Sequence, residues 1–288
     1  MMKYIVSGLI LILGIAYLLI FSVPTVDKMV FSSDADAIER GRYLVAAGGC
    51  LSCHRNPDRA DSWSGGLALD TEFGTFHVPN ISPDPESGIG SWSAEEFVLA
   101  LKHGRRPDGG YYFPAFPYRA YAGLSDQEIL DMGSYLMSMT PELHVVQDHD
   151  LPVWLSEWMM AGWNFIADIL QPSVYESSDP QIARGAKLAR NLGHCGECHT
   201  PRNAIGIPIA SRAFAGATMG ESHADAIDAE ALRGWSTDDF AFFLFLGMKP
   251  DEEYVGGEME AVIADNTSQL SEEDRQAMAA FFKYEGSR

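Results

Sequence analysis

Two pentapeptides in this chain share one chemical layout: Cys50-Leu51-Ser52-Cys53-His54 and Cys195-Gly196-Glu197-Cys198-His199. Cys-x-x-Cys-His is the spacing of c-type haem attachment. Two thiols a short turn apart add to the two haem vinyl groups as thioethers. The histidine that follows falls under the iron as its proximal axial ligand. On this reading Cys50, Cys53, Cys195 and Cys198 carry two covalently attached haem c groups, and His54 and His199 ligate their irons. A redox dithiol would expect a βαβ setting, which the pattern lacks. A shared Cys₄ zinc site would leave both histidines unexplained. With all four cysteines used, no disulfide is expected.

A low-spin electron carrier needs a second axial ligand, commonly methionine. Met259 stands in Gly256-Gly257-Glu258-Met259, 259 − 199 = 60 residues after the second proximal histidine. A glycine-rich loop at that point could cross a haem face, so Met259 is the expected sixth ligand of haem 2; Met219 and Met248 are the competing sulfurs. Met259 lies 24 residues after Trp235, and the residue 24 after Trp92 is Phe116, which cannot bind iron. Haem 1 therefore has an open sixth position or takes another residue. The candidates are His149, Tyr118, Tyr111, His103, His77 and the methionines Met132, Met137 and Met139. The methionines at helical spacing read first as core, and His103 and His77 as ordinary surface histidines.

The two motifs sit in a repeat. Arg40-Gly41 precedes the first and Arg184-Gly185 the second, with an offset of 195 − 50 = 145 residues between the leading cysteines. Downstream, Trp92-Ser93 and Trp235-Ser236 each open a segment with Phe at +5 (Phe97, Phe240), Gly at +12 (Gly104, Gly247) and Pro-Asp at +15. Ser93 with Glu96, and Ser236 with Asp239, read as helix N-caps, and the glycines as C-caps. Leu124-Ser125-Asp126 and Leu270-Ser271-Glu272 each open a final amphipathic helix. Long alternating strand patterns are absent, so the chain is expected to be mainly α. The expected units are an anchor at 1–26, domain 1 at 34–142, a linker at 143–179 and domain 2 at 180–288.

Of the 288 residues 47% are hydrophobic, enough for packed cores. Forty acidic residues against 20 Lys and Arg give a net charge of −20, which excludes a nucleic-acid partner and favours a basic or metal-bearing one. Residues Ile5–Val23 form 19 uncharged residues, long enough to read as a single transmembrane helix rather than a cleaved signal. Haem attachment takes place on the outer side of the bacterial membrane. An inner-membrane anchor with both haem domains in the periplasm is the expected arrangement, with membrane lipid as one partner. The linker Leu151–Leu170 is mostly bulky and apolar, and its polar residues Glu157, Asn164 and Asp168 fall on one narrow helical stripe. It reads as a helix packed between the domains, or as one lying on the membrane surface or gripping a partner. Its carboxylates and the need to keep domain 2 outside argue against a second span.

The chain resembles the membrane-anchored dihaem cytochromes c that serve periplasmic alcohol- and gluconate-type dehydrogenases. The resemblance rests on both Cys-x-x-Cys-His motifs, Phe73–Asp84, Gly88–Ser93, Pro114–Tyr118 and Gly256–Met259, and covers roughly residues 35–288. It implies two class I cytochrome c-like folds. Many members of that family have Met where Phe116 stands. The function so implied is electron transfer between a periplasmic dehydrogenase or soluble cytochrome and a terminal oxidase or quinone-linked complex, without substrate chemistry. The rival is a haem enzyme, peroxidase-like or small-molecule oxidising, that uses an open site at haem 1. No Ser/His/Asp triad, nucleotide fingerprint or paired acid/base site supports another enzyme class.

Overall fold

The computed structural model describes residue 14 and residues 21–170, 175–220 and 222–284. Most of the apolar run Ile5–Val23 lies outside these residues. No helix among the described residues is long and apolar enough to cross a membrane.

The described chain is mainly helical. In the first half, α1 (Ala35–Ala47) leads into a short α2 (Cys50–His54), a hairpin β1 (Ala68–Thr71) and β2 (Gly74–His77), α3 (Ala94–His103), a single turn α4 (Tyr118–Tyr121) and α5 (Asp126–Met137). Helix α6 (Met159–Leu170) follows. In the second half, α7 (Pro180–Ala186) runs on as a π-helical turn at Lys187–Leu192, followed by α8 (Gly196–His199), the hairpin β3 (Ala217–Met219) and β4 (Ser222–Ala224), α9 (Thr237–Leu246), α10 (Glu258–Asp265) and α11 (Glu272–Tyr284). Both hairpins are antiparallel and two-stranded.

The repeat is physical. Ser93 and Ser236 each close a capping box, with Glu96 and Asp239 as the reciprocal partners. Gly104 and Gly247 each end their helix in the left-handed region, at φ 58° and 75°. The paired Arg-Gly dipeptides explain how the first and last helices of each half cross. A Cβ on Gly41 would stand 1.8 Å from the Asp131 carbonyl oxygen, and one on Gly185 would stand 1.9 Å from that of Ala277. Only glycine lets α1 approach α5, and α7 approach α11, this closely. The neighbouring arginines lock the same crossings: Arg40 Nε donates to Asp131 at 2.7 Å, and Arg184 donates twice to Asp274, at 2.8 and 2.7 Å.

One hydrophobic core runs through both halves, from Leu44, Phe97 and Ile129 to Leu188, Phe240 and Phe281. Polar ties cross the same seam. Tyr43 Oη donates to Asp274 at 2.6 Å, Lys187 pairs with Glu128 at 2.6 Å, and Arg55 with Asp265 at 2.6 Å. A second, smaller core joins Phe76, Tyr111 and Phe113 to Met160 and Ala161 of α6. The start of the expected linker packs back on the first half, where Asp150 and Thr75 exchange backbone hydrogen bonds at 3.0 Å.

Candidate functional site

Each Cys-x-x-Cys-His lies on a single helical turn that follows a residue in the left-handed region. In the first copy that residue is Gly49 (φ 63°), in the second His194 (φ 38°). This reversal turns the chain from the long helix into the motif and lines up two sulfurs and an imidazole on one short turn.

Both histidines are oriented by a backbone carbonyl. His54 Nδ1 donates to Pro79 O at 2.8 Å, and His199 Nδ1 donates to Asp225 O at 2.6 Å. That fixes the tautomer and leaves the Nε2 lone pair of each ring as the one that could bind a metal. Burial lowers the pKa of both rings, that of His54 to about 4, so each is neutral at pH 7, as a metal ligand must be. All four cysteines are free. Burial pushes the Cys50 and Cys195 thiols up to about 12, so neither is a ready thiolate. Among the described residues no group of three or more His, Cys, Asp or Glu is set to hold a metal ion. Free, neutral sulfurs, three of them half-buried and that of Cys198 exposed, beside a carbonyl-anchored imidazole fit covalent haem c at both places.

The segments that lead into the two motifs meet. A Cβ on Gly48 would lie 3.5 Å from Cys50 Sγ and 3.6 Å from Leu192, and one on Gly193 would lie 3.7 Å from Cys195 Sγ and 3.8 Å from the Ala47 carbonyl oxygen. The Gly48 carbonyl accepts from His194 Nε2 at 3.2 Å and from Tyr121 Oη at 3.4 Å. The Tyr121 and His194 rings pack edge to face, 5.6 Å apart. Sequence reasoning missed this junction, because neither Gly48 nor His194 belongs to a motif. It missed Pro79 and Asp225 for a different reason: their carbonyls act, and a carbonyl leaves no side-chain signal.

Met259 is partly buried against the common core. It sits in the first turn of α10 rather than in a loop, where the glycine-rich run had suggested one. Gly257, at φ 68°, ends that run and admits the helix. Met248 follows α9 and faces Tyr254 across a backbone bridge, and Met219 ends β3. In the first half Phe116 packs edge-on to Tyr112 at 5.4 Å and beside Tyr121 at 6.0 Å. Met132 is fully buried in α5, and Met278, 278 − 132 = 146 residues on, is equally buried in α11. The same offset separates Leu124 from Leu270, so Met132 is a repeated core residue. Met137 and Met139 also pack against the core.

The other candidates for haem 1 are scattered. Tyr118 Oη donates to Asn164 at 2.7 Å, and burial raises its pKa to about 12, which keeps it a neutral phenol. Tyr111 is buried beneath the Arg105 guanidinium, 4.0 Å above its ring. His103 ends α3. His77 is not a surface histidine: it is buried, with Gln147 Nε2 at 2.9 Å from its Nε2. His149 Nδ1 accepts from the His77 backbone N–H at 3.1 Å, and its ring packs edge-on to Phe76. His77 and His149 line a cleft of about 420 Å³ with Pro79, Phe113 and Arg106.

No family model matches the chain. It is 39% identical over 284 residues to a diheme cytochrome c-type protein of Cereibacter sphaeroides, covering 96% of this chain and 95% of the relative. It is 35% identical over 271 residues to the gluconate 2-dehydrogenase cytochrome c subunit of Pantoea cypripedii, and 36% identical over 269 residues to the cytochrome c subunit of the quinone alcohol dehydrogenase of Gluconobacter oxydans. Those matches cover 87% and 88% of this chain but only 60% and 56% of the two subunits.

Proposed function

Because the chain belongs to the dihaem c-type cytochromes, with two covalently bound c-type haems, we propose that it carries electrons between a periplasmic dehydrogenase or other donor and the respiratory chain. Cys50 and Cys53 hold the first haem, and Cys195 and Cys198 the second. His54 and His199 are the proximal ligands, and Met259 completes the second site. When bound, the haem iron supplies one-electron redox chemistry. The protein's own part is to hold, orient and enclose. Pro79 and Asp225 aim the imidazoles, and the common core keeps water from the inner faces. The chain spans a little over half of the dehydrogenase cytochrome subunits it matches, so an assembly with such an enzyme is part of this proposal. So are the division into two haem domains at 34–142 and 180–288 and the anchor that places them in the periplasm.

The observation that carries the reading is the contact between the segments that lead into the two motifs, through Gly48 and His194. Two redox groups attached on touching segments suit a relay, whereas two independent catalytic sites gain nothing from contact. Phe116 in place of a sulfur makes haem 1 the lower in potential, since methionine ligation favours ferrous iron.

The test is a haem count followed by a redox titration of the purified full chain. Two covalent haems, one of them lost in the double variant Cys195→Ala/Cys198→Ala, and two separated potentials are expected. A single haem in the native protein would refute the reading. Rapid carbon monoxide binding at haem 1, with turnover of peroxide, would replace the relay by a haem enzyme.

A further inference from the structure

Helix α6 pairs its polar side chains with the rest of the chain and leaves most of its apolar side chains exposed, although Asp168 keeps 70% of its own surface in water. Its two polar side chains and the carboxylate just before it are all held by the first half. Asn164 accepts from Tyr118 Oη at 2.7 Å, Asp168 pairs with Arg119 at 2.8 Å, and Glu157 pairs with Arg106. Trp163 Nε1 donates to the Ile205 carbonyl at 2.7 Å, tying the helix to the second half as well. Met160, Ala161 and Ala167 fill the buried side. The outer side carries Met159, Phe165, Ile166, Ile169 and Leu170, between 43% and 67% exposed, and no charge. Gly162 on the same side has nothing within 4 Å. Trp154 and Trp158, 60% and 64% exposed, stand just before the helix. A helix facing water arranges these groups the other way round.

The chain itself indicates what covers this stripe. Phe21, near the end of the apolar run Ile5–Val23, packs against the small core that α6 shares with Phe76, Tyr111 and Phe113. The end of the run at Phe21 therefore meets the core that α6 shares with the first half. We propose that α6 lies on the bilayer surface, its uncharged stripe among the lipids beside the N-terminal anchor; this rests on reading Ile5–Val23 as that anchor. Exposed tryptophans at one end suit the interfacial zone, where one edge of the ring is apolar and the other wet. Lysine and arginine are absent from the helix, so the contact is apolar and independent of anionic lipid. An electrostatically steered protein partner would use the acidic surface instead.

The experiment uses the full chain in vesicles of zwitterionic phospholipid. Its four cysteines are consumed by haem, so a spin label can be placed by Ile169→Cys, by Phe165→Cys, and by Glu252→Cys as a control outside α6. Collision rates are read with oxygen, which enters lipid, and with a charged nickel chelate, which does not. Labels at 165 and 169 should give an oxygen-to-nickel ratio about fivefold or more above that at 252. Equal ratios at all three sites, in protein that floats with the vesicles, overturn the surface helix and leave the anchor standing. Shielding from both reagents at 165 and 169 overturns it in favour of a protein partner. Protein that does not float at all overturns the anchor and this proposal together.

Discussion

Replacing Gly185 by alanine tests the helix crossing on which the second motif depends. The new methyl carbon would stand 1.9 Å from the Ala277 carbonyl oxygen and 2.4 Å from its carbon, both backbone atoms. Ordinary contact begins near 3.4 Å, so α7 and α11 must separate by 3.4 − 1.9 = 1.5 Å, or the backbone must bend. Overpacking of this kind costs about 3 kcal/mol at the upper end of the usual range. Alanine returns up to about 1 kcal/mol through its higher helix propensity. The net loss is about 2–3 kcal/mol, and it falls on the helix that delivers Cys195 and Cys198. Guanidinium unfolding of the haem-loaded protein, followed by far-ultraviolet and Soret circular dichroism, measures it. Gly162→Ala is the control of opposite sign: with open space around it, it should gain about 0.5–1 kcal/mol. If Gly185→Ala stays within about 0.5 kcal/mol of the parent, the argument from close approach is wrong.

Two further outcomes follow from the site and the seam. Met259→Ala should remove the weak long-wavelength thioether band of the oxidised protein and lower the higher potential, and Phe116→Met should add a second such band and raise the lower one; a band that survives the first change moves the ligand to Met248 or Met219. Burial pushes the Asp274 carboxyl up, but hydrogen bonds from Arg184 and Tyr43 outweigh it and hold the folded pKa below the ordinary value. Its contribution is then present above the unfolded pKa of about 3.9 and lost as pH falls through the lower folded value. Asp274→Asn should cost about 2 kcal/mol at pH 7, reduced from the fully buried case because Arg184 is 39% exposed, and should flatten the loss of stability below about pH 4. An unchanged acid profile in a urea-midpoint series would exclude this linkage.

Local chemistry was the readable part of this sequence. The capping boxes at Ser93 and Ser236 and the left-handed glycines at 104 and 247 depend on residues three to twelve apart, and each stands where spacing placed it. The Arg-Gly pairs were visible as a repeat, but their purpose was not, because the partners Asp131 and Ala277 lie about 90 residues away. The glycine-rich run before Met259 suggested a loop, yet the helix begins one residue after Gly257. The stripe of Glu157, Asn164 and Asp168 was legible as a stripe. What it would pair with was not, since hydrophobic pattern alone assigns charge to water and here Arg119 and Arg106 hold both carboxylates against the first half.

A single core shared by both halves also bears on motion. Domains joined by a flexible linker sample their relative positions by hinge movement over microseconds to milliseconds. Here Phe97 and Phe240, counterparts in the repeat, belong to one packed interior, and Tyr43, Lys187 and Arg55 clamp its rim. Relative displacement is confined to the small amplitudes of a close-packed interior. Exchange between the two sites would then proceed without a conformational search, and its rate should be indifferent to solvent viscosity.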